Sequence, residues 1–388
     1  MREVGIYVHI PFCKQKCYYC DFKSYGDKEH LIDEYIKWLK VEIEDVGQGN
    51  KLDFENNLDD LVLVKTIYIG GGTPSYIDSK YIIEILNTIK GNFKVDENAE
   101  ITIEINPGTV TKEKIQDYIN CGINRVSIGL QSTDDIMLGK IGRIHKLEDF
   151  LKTYEIARDA GIKNINVDLI IGLPDQKLQN VEEDIKKITE INPEHISVYS
   201  LIVEENTKIE KLISSGEMSL PEEEIERRMY WKAKEILEEA GYIHYEISNF
   251  AKKGFESKHN SDCWLQKEYM GFGASAHSYT NGVRFSNIDS VEEYIKNYAT
   301  ENITDNFVFH EKQTAESKMK EYMLLGLRKI NGVSIQEFKN RFSQNPIYLY
   351  RNELNELVEK DLIEIDLDNI KLTNKGIDFA NIVWERFV

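Results

Sequence analysis

Short segments rich in Ile and Val alternate along this chain with longer stretches in which apolar residues return every three or four positions. The first kind predicts strands at Val4–Ile10, Thr66–Gly70, Glu100–Ile105, Arg125–Leu130, Ile165–Ile171 and Ile196–Leu201. Their aliphatic content is that of strands buried on both faces. The second kind predicts amphipathic helices at Leu31–Val46, Lys80–Lys90, Lys112–Cys121, Leu147–Ala160 and Val181–Ile191, with Glu222–Ala240 after the sixth strand. Six β-α units in succession imply a parallel sheet, open or curled into a barrel. No G-x-G-x-x-G turn follows the first strand, so a dinucleotide-binding sheet is not supported. The polar motifs favour an α/β fold of the partial (β/α)6 TIM-barrel type, because they fall at the C-terminal ends of the strands, where barrel enzymes build their sites. A cysteine-bearing loop follows the first strand and Gly70-Gly71-Gly72-Thr73-Pro74 follows the second. Glu104 ends the third, Gln131 closes the fourth, and Asp168 lies in the fifth before Gly172-Leu173-Pro174.

Past about residue 245 the pattern changes. Tyr242–Phe250 predicts one more strand, and a polar, aromatic loop then runs from Lys258 through Trp264 to Gly271 and His277. From Thr314 onward the order is three helices, a hairpin of Leu362–Asp366 with Ile370–Thr373, and a last helix. That order suits a smaller, mainly helical, winged-helix-like domain. The expected division is a barrel over 1–250, a connecting region over 251–313 and the C-terminal domain over 314–388. Residues 314–388 carry eleven Lys and Arg against twelve Asp and Glu, which is no basic face for DNA and favours a packing module.

Composition narrows the function. The chain of 388 residues is 41% hydrophobic and 30% charged, as soluble globular proteins are. Its 48 basic and 67 acidic residues leave a net charge of −19. That charge argues against nucleic-acid binding and against a standing attraction to anionic membranes. No run of eighteen apolar residues occurs, and the N-terminus enters a strand without an apolar signal region. The expected compartment is the cytoplasm, where thiols stay reduced.

Three of the five cysteines are Cys13, Cys17 and Cys20. Three thiolates can hold three irons of a cubane iron–sulfur cluster and leave the fourth without a protein ligand. An open metal position is a reactive one. A zinc site would want a fourth ligand, and neither His9 nor His30 completes a familiar zinc spacing. A disulfide framework does not suit five cysteines in a chain of this length. Cys121, beside Gly122, reads as a small buried residue.

The C-x3-C-x2-C spacing resembles the signature of the radical S-adenosylmethionine superfamily, whose open iron binds the amino and carboxylate groups of S-adenosylmethionine. Gly70-Gly71-Gly72-Thr73 matches that family's glycine-rich motif, where backbone approaches the ligand closely because glycine has no side chain. Over nearly its whole length the chain resembles the coproporphyrinogen-dehydrogenase-like branch. The likeness runs from Tyr7-Val8-His9-Ile10-Pro11-Phe12-Cys13 through Glu104-Ile105-Asn106-Pro107, Gln131 and Arg143 to Asp168. It implies a [4Fe-4S] cluster on Cys13, Cys17 and Cys20, and S-adenosylmethionine contacts from Tyr7, Gly70, Glu104 and the Gly72 loop. In the dehydrogenase, positions matching Tyr19, Gly71, Thr73, Gln131, Arg143 and Asp168 serve a second S-adenosylmethionine; one site or two is left open here. The histidine matching His9 lies in that enzyme's active site, which makes His9 a catalytic candidate.

Two branches share the scaffold, a dehydrogenase and a haem chaperone. The dehydrogenase carries a further cysteine two residues after the third ligand, where this chain has Phe22, and a long extension before its matching tyrosine, here already Tyr7. The chaperone carries His-Asn-x-x-Tyr-Trp, and this chain has His259-Asn260-Ser261-Asp262-Cys263-Trp264. His259, and less so Cys263, are therefore candidate haem ligands, against a plain packing role over the barrel mouth. His277, beside a glycine-rich run, either lines a ligand pocket or is a satisfied structural histidine.

The resemblance implies a cytoplasmic haem chaperone that binds the cluster, S-adenosylmethionine and haem, and passes haem to a membrane-associated respiratory haemoprotein in a transient contact. The alternative is an oxygen-independent coproporphyrinogen III dehydrogenase, which would abstract hydrogen from porphyrinogen propionates and decarboxylate them. Whether the protein is an enzyme, and whether it pairs as a homodimer, stays open. A nucleic-acid regulator is set aside on charge.

Overall fold

The computed structural model describes residues 1–49 and 62–388. Six strands lie side by side in chain order: β1 (Arg2–Ile10), β2 (Val62–Gly71), β3 (Lys94–Ile105), β4 (Arg125–Gln131), β5 (Asn164–Ile171) and β6 (His195–Ser200). Every neighbouring pair is parallel. Helices Ile32–Gly47, Ser79–Asn92, Lys112–Asn120, Leu147–Asp159, Leu178–Ile191 and Glu223–Glu239 follow the strands in turn. β1 and β6 are not neighbours in the sheet, so the barrel is partial. The helices and most strands start and end close to the sequence-based expectation, but β2 begins at Val62 and β3 at Lys94, well ahead of the expected Thr66 and Glu100.

Residue parity within the strands sets the two faces of this sheet. Ile6, Val8, Ile67, Ile69, Ile101, Ile103, Val126, Ile128 and Val167 point outward into one aliphatic core with Ile36, Leu39, Ile82 and Leu86 of the helices. The alternate positions Thr66, Thr102, Ser127, Asn166 and Ser197 are also buried, but they face the lumen. The strands are thus buried on both faces, as their aliphatic content implies, but only one of the two faces is apolar. Buried polar groups need partners, and the lumen supplies them. Ser127 Oγ donates to Asp168 at 3.0 Å, Asn166 Nδ2 donates to Ser127 Oγ at 2.7 Å, and His195 Nδ1 meets Asn166 Oδ1 at 2.6 Å.

The region after residue 245 departs from expectation. Tyr242–Phe250 is not one strand but two short antiparallel ones, β7 (Ile243–Glu246) and β8 (Asn249–Ala251), the latter paired with β6. The expected polar loop is a helix, Lys258–Trp264, capped by Ser257, whose hydroxyl accepts from Asn260 N. Strand β9 (Tyr269–Phe272) follows and pairs in parallel with β1. Then β10 (His277–Thr280), β11 (Val283–Asn287) and β12 (Phe307–Lys312) continue the sheet antiparallel. Together they make one sheet of 12 strands. Strands of four residues interrupted by Gly271 and Gly273 leave too short a run for periodicity to register.

The C-terminal segment packs its own core around Met323, Leu327, Phe338, Leu354, Leu357 and Ile370. The hairpin Ile363–Ile365 with Asn369–Leu372 gains a third strand, Val333–Ser334, against Ile370. Arg328 of this segment stacks over Trp264 at 4.5 Å and Trp384 at 4.8 Å, joining it to the Lys258–Trp264 helix. Among the described residues no helix is long and apolar enough to cross a membrane.

Candidate functional site

A cavity of about 490 Å³ opens at the C-terminal ends of the barrel strands. Cys13, Cys17 and Cys20 form part of its wall, and none is in a disulfide. Backbone hydrogen bonds carry the β1–β2 pairing beyond the strand ends and hold the cysteine loop in place. Gly72 N donates to Ile10 O at 2.8 Å, Thr73 N to Phe12 O at 2.9 Å, and Cys13 N to Tyr25 O at 2.9 Å. The Thr73 hydroxyl donates to Cys13 Sγ at 3.5 Å, and Arg143 Nη1 to Cys17 Sγ at 3.5 Å. Burial pushes the Cys13 and Cys20 thiols up, against hydrogen bonds to Thr73 and Ser24 that favour the thiolates.

The glycine loop leaves no room for side chains. Gly71 sits at φ +115°, and a Cβ there would stand 2.6 Å from the His9 ring. A Cβ on Gly72 would stand 2.9 Å from Cys13 Sγ. Opposite, Glu104 accepts from Tyr68 OH at 2.9 Å and from Gly71 N at 3.1 Å. Burial pushes the Glu104 carboxyl up to about 7. Gln131, a non-glycine residue at φ 75°, lies at the β4–β5 register break between Gly129 and Gln131. Such irregularities re-aim side chains next to sites, and here Gln131 turns into the cavity wall. Arg143 Nη2 donates to Gly129 O at 2.6 Å and Nη1 to Asn106 Oδ1 at 3.2 Å, while its Nε is buried without a partner among the described residues. Asp168, whose carboxyl burial also pushes up, completes this wall with Tyr19 and Thr73.

Six candidates do not line the cavity: Tyr7, His9, Gly70, His259, Cys263 and His277. Tyr7 and His9 lie beneath it: Tyr7 OH meets His9 Nδ1 at 3.0 Å, and His9 Nε2 meets Lys23 O at 3.0 Å. Gly70 is bare because Glu104 Oε1 would be 3.0 Å from any Cβ there. His259 lies below the cavity, on the far side of Tyr68, level with Gly5 of β1, Thr66 of β2 and Glu100 of β3. It meets Thr66 Oγ1 at 2.8 Å, stacks on the Tyr68 ring at 5.3 Å, and its amide donates to Glu100 at 3.1 Å. Its helix therefore packs against the opposite end of the barrel from the cysteines, not over the mouth. Burial pulls His259 down to about 4 and pushes the Cys263 thiol up to about 12.

Sequence reasoning missed Tyr68, Asn106, Ser127 and Tyr199, which share the cavity wall. The signal was present in the alternation: Tyr68 and Ser127 stand two residues before Gly70 and Gly129 and so face the same way. Phe22 and Ile202, 62% and 68% exposed, form an apolar lip to the cavity.

Comparison with known proteins agrees with this geometry. Residues 7–188 match the radical SAM superfamily and residues 313–379 match the HemN C-terminal domain. The chain is 38% identical to "Heme chaperone HemW" of Bacillus subtilis (strain 168) over 386 residues, 98% of either chain. The chain belongs to the HemW family. The HemW protein of Haemophilus influenzae is 32% identical over 397 residues, 100% of this chain and 98% of that one. The solved coproporphyrinogen III oxidase HemN of Escherichia coli superposes with a TM-score of 0.84 over 100% of this chain and 90% of that one, at 21% identity, a likeness of fold.

As a radical SAM protein, a HemW family member implies a [4Fe-4S] cluster and S-adenosylmethionine. The residues present fit both. Among the described residues no three His, Cys, Asp or Glu converge on one metal ion. The three thiols instead share the wall of one roomy cavity. The side-chain-free cradle at Gly71 and Gly72 and the unpartnered Arg143 Nε lie against the same space.

Proposed function

We propose that this protein is a haem chaperone: it binds haem on a radical SAM scaffold and passes it to a respiratory haemoprotein at the membrane. End-to-end similarity to the HemW protein of Bacillus subtilis, 98% of both chains, carries this reading. Phe22 supports it, since the exposed lip of the cavity holds an apolar ring where the dehydrogenase branch has a cysteine. The net charge of −19 suits brief encounters better than residence on an anionic membrane, and the reduced thiols suit the cytoplasm.

In this reading Cys13, Cys17 and Cys20 hold the cluster. Bound there, the cluster supplies a redox-active iron with one position left for S-adenosylmethionine. Gly70, Gly71, Gly72 and Thr73 bring backbone amides and a hydroxyl to the ligand. Glu104 and Asp168 offer carboxylates to its cationic and hydroxyl groups, Gln131 and Arg143 close the side wall, and Tyr19 stands over the thiols. His9 and Tyr7 act from beneath as a hydrogen-bonded prop for the glycine loop. Residues 1–250 form the cofactor-holding unit, 251–313 the connection and 314–388 the packing module.

The test is anaerobic. The cluster-loaded protein is offered coproporphyrinogen III with S-adenosylmethionine, and separately haem. Stoichiometric haem uptake with no protoporphyrinogen formed is the expected result; conversion of coproporphyrinogen sinks the chaperone reading.

Glu104 makes binding pH-dependent. Its carboxyl titrates near 7 in the fold against 4.5 for an ordinary glutamate, so across that window the folded protein keeps a proton the unfolded chain has lost. Glu104 therefore costs stability as pH rises from about 4.5 to 7. A cationic ligand beside it favours the carboxylate, so S-adenosylmethionine binding releases a proton and strengthens as pH rises towards 7. Calorimetry in buffers of different ionisation enthalpy reads that release, and Glu104→Gln is expected to abolish it. A proton count that Glu104→Gln leaves unchanged would contradict the assignment.

A further inference from the structure

Of eight histidines, His9, His145, His195, His244 and His259 are buried. Haem is a broad plane, and an iron-ligating imidazole must reach its centre. A buried ring such as His259, enclosed by Thr66 and Tyr68, cannot do so without opening that end of the barrel. Cys263 is held as the thiol by burial.

Two of the exposed histidines stand together. His277 opens β10 and His310 lies in β12, and their rings stack at 5.3 Å with 10° between planes. The arrangement is built. The β11–β12 register slips so that Arg284 faces Glu311 while Phe285 faces Phe309, which leaves His310 as the extra residue of a bulge. Bulges re-aim side chains. His310 Nε2 meets Ser286 Oγ at 2.9 Å, and Ser286 is the register partner of His277. Ser286 thus sets the His310 ring, and that ring backs His277. On the same face Val308, the register partner of Ser286, is 43% exposed.

The pair lies at the cluster end of the molecule. His277 and Asp289 both act electrostatically on His9. Asp289 pairs with Lys23 at 3.0 Å, and its carbonyl accepts from Tyr25 OH at 3.3 Å, both in the segment after Cys20.

We propose that His277 ligates haem iron on this exposed face of the sheet extension, with His310 positioning its ring and Val308, on the same face through its register partner Ser286, meeting the macrocycle. The inference rests on the haem-chaperone reading and deepens it. It assigns the cargo to the outer sheet extension beside the cluster loop, and not to the His259 helix at the far end of the barrel.

The experiment titrates ferric haem into the cluster-loaded, full-length protein, following the haem absorbance band and its resonance Raman spectrum. His277→Ala is expected to weaken binding by about tenfold or more and to lose the histidine-ligated spectrum, with imidazole restoring it. His277→Gln is expected to behave likewise, and unchanged cluster absorbance and melting temperature show both variants folded. His310→Ala, a positioning change, is expected to weaken binding by about threefold and keep the ligation spectrum. His259→Ala is expected to match the unaltered protein. If both His277 variants titrate like the unaltered protein with the same spectrum, or if His259→Ala loses ligation, the inference is overturned while the chaperone reading stands. If the unaltered protein takes up no haem, the chaperone reading itself fails and takes the inference with it.

Discussion

Cys17→Ala is expected to leave a folded protein that assembles no cluster. Cys17 is the informative choice because it lies outside the strands and is only partly buried, whereas Cys13 is nearly enclosed at 9% exposure. Its thiol meets the Arg143 guanidinium in a long Nη1–Sγ approach of 3.5 Å. Loss of a sulfur there removes little packing, so the far-ultraviolet circular dichroism should not change. Cluster assembly is different in kind. Two remaining thiolates cannot replace three, and iron and acid-labile sulfide should fall from about four of each per chain to near zero. The melting temperature should then drop to that of the cluster-free protein, since a group bound only by the folded state stabilises it by mass action. A variant that keeps its iron and sulfide would refute Cys17 as a ligand.

Gly71→Ala is the second large effect, and it acts without touching the thiols. The backbone at φ +115° is one that L side chains rarely adopt. The new Cβ also meets the His9 ring at 2.6 Å. That ring cannot swing aside cheaply, because both its nitrogens are engaged, by Tyr7 OH and by Lys23 O. Backbone strain of about 1–3 kcal/mol and overpacking of about 1–3 kcal/mol together predict a loss of roughly 2–6 kcal/mol. Any relaxation moves Gly71 N away from Glu104, so S-adenosylmethionine affinity should fall by more than about tenfold. Urea unfolding reads the first effect and calorimetry the second. Adding His9→Ala to Gly71→Ala should return the overpacking part and leave the backbone part, a coupling of about 1–3 kcal/mol. Additive behaviour in that cycle would mean that the ring is not what excludes the side chain.

The barrel was legible because each strand is followed by a helix, and both periods are strong over segments long enough to count. The cluster loop and glycine loop were legible because cysteine and glycine are chosen for reasons that do not depend on distant neighbours. The lumen was legible in principle. Thr66, Tyr68, Thr102, Glu104, Ser127, Asn166 and Asp168 keep strict alternation with Ile and Val, which marks a polar inner face. What hid it was the weight of aliphatic residues on the other face.

The sheet extension was not legible. Tyr269–Phe272 and His277–Thr280 are four-residue strands whose partners lie far away in sequence, β9 against β1 and β12 against β11. The position of the His259 helix was hidden for the same reason. Its neighbours Thr66 and Glu100 are brought to it only by the closing of the barrel.

By itself the sequence determined the order of β-α units, the three cysteines, the glycine cradle and the family of the chain. These are local properties: periodicity, residue type and spacing are read along the backbone. Only the tertiary structure decided which candidates share the cavity and which do not, with Glu104, Gln131, Arg143 and Asp168 around the thiols and His259 sealed at the other end. It alone brought His277 and His310 together. The reason is that a strand's direction, a bulge and a register slip decide where a side chain points, and each is set by partners tens or hundreds of residues away.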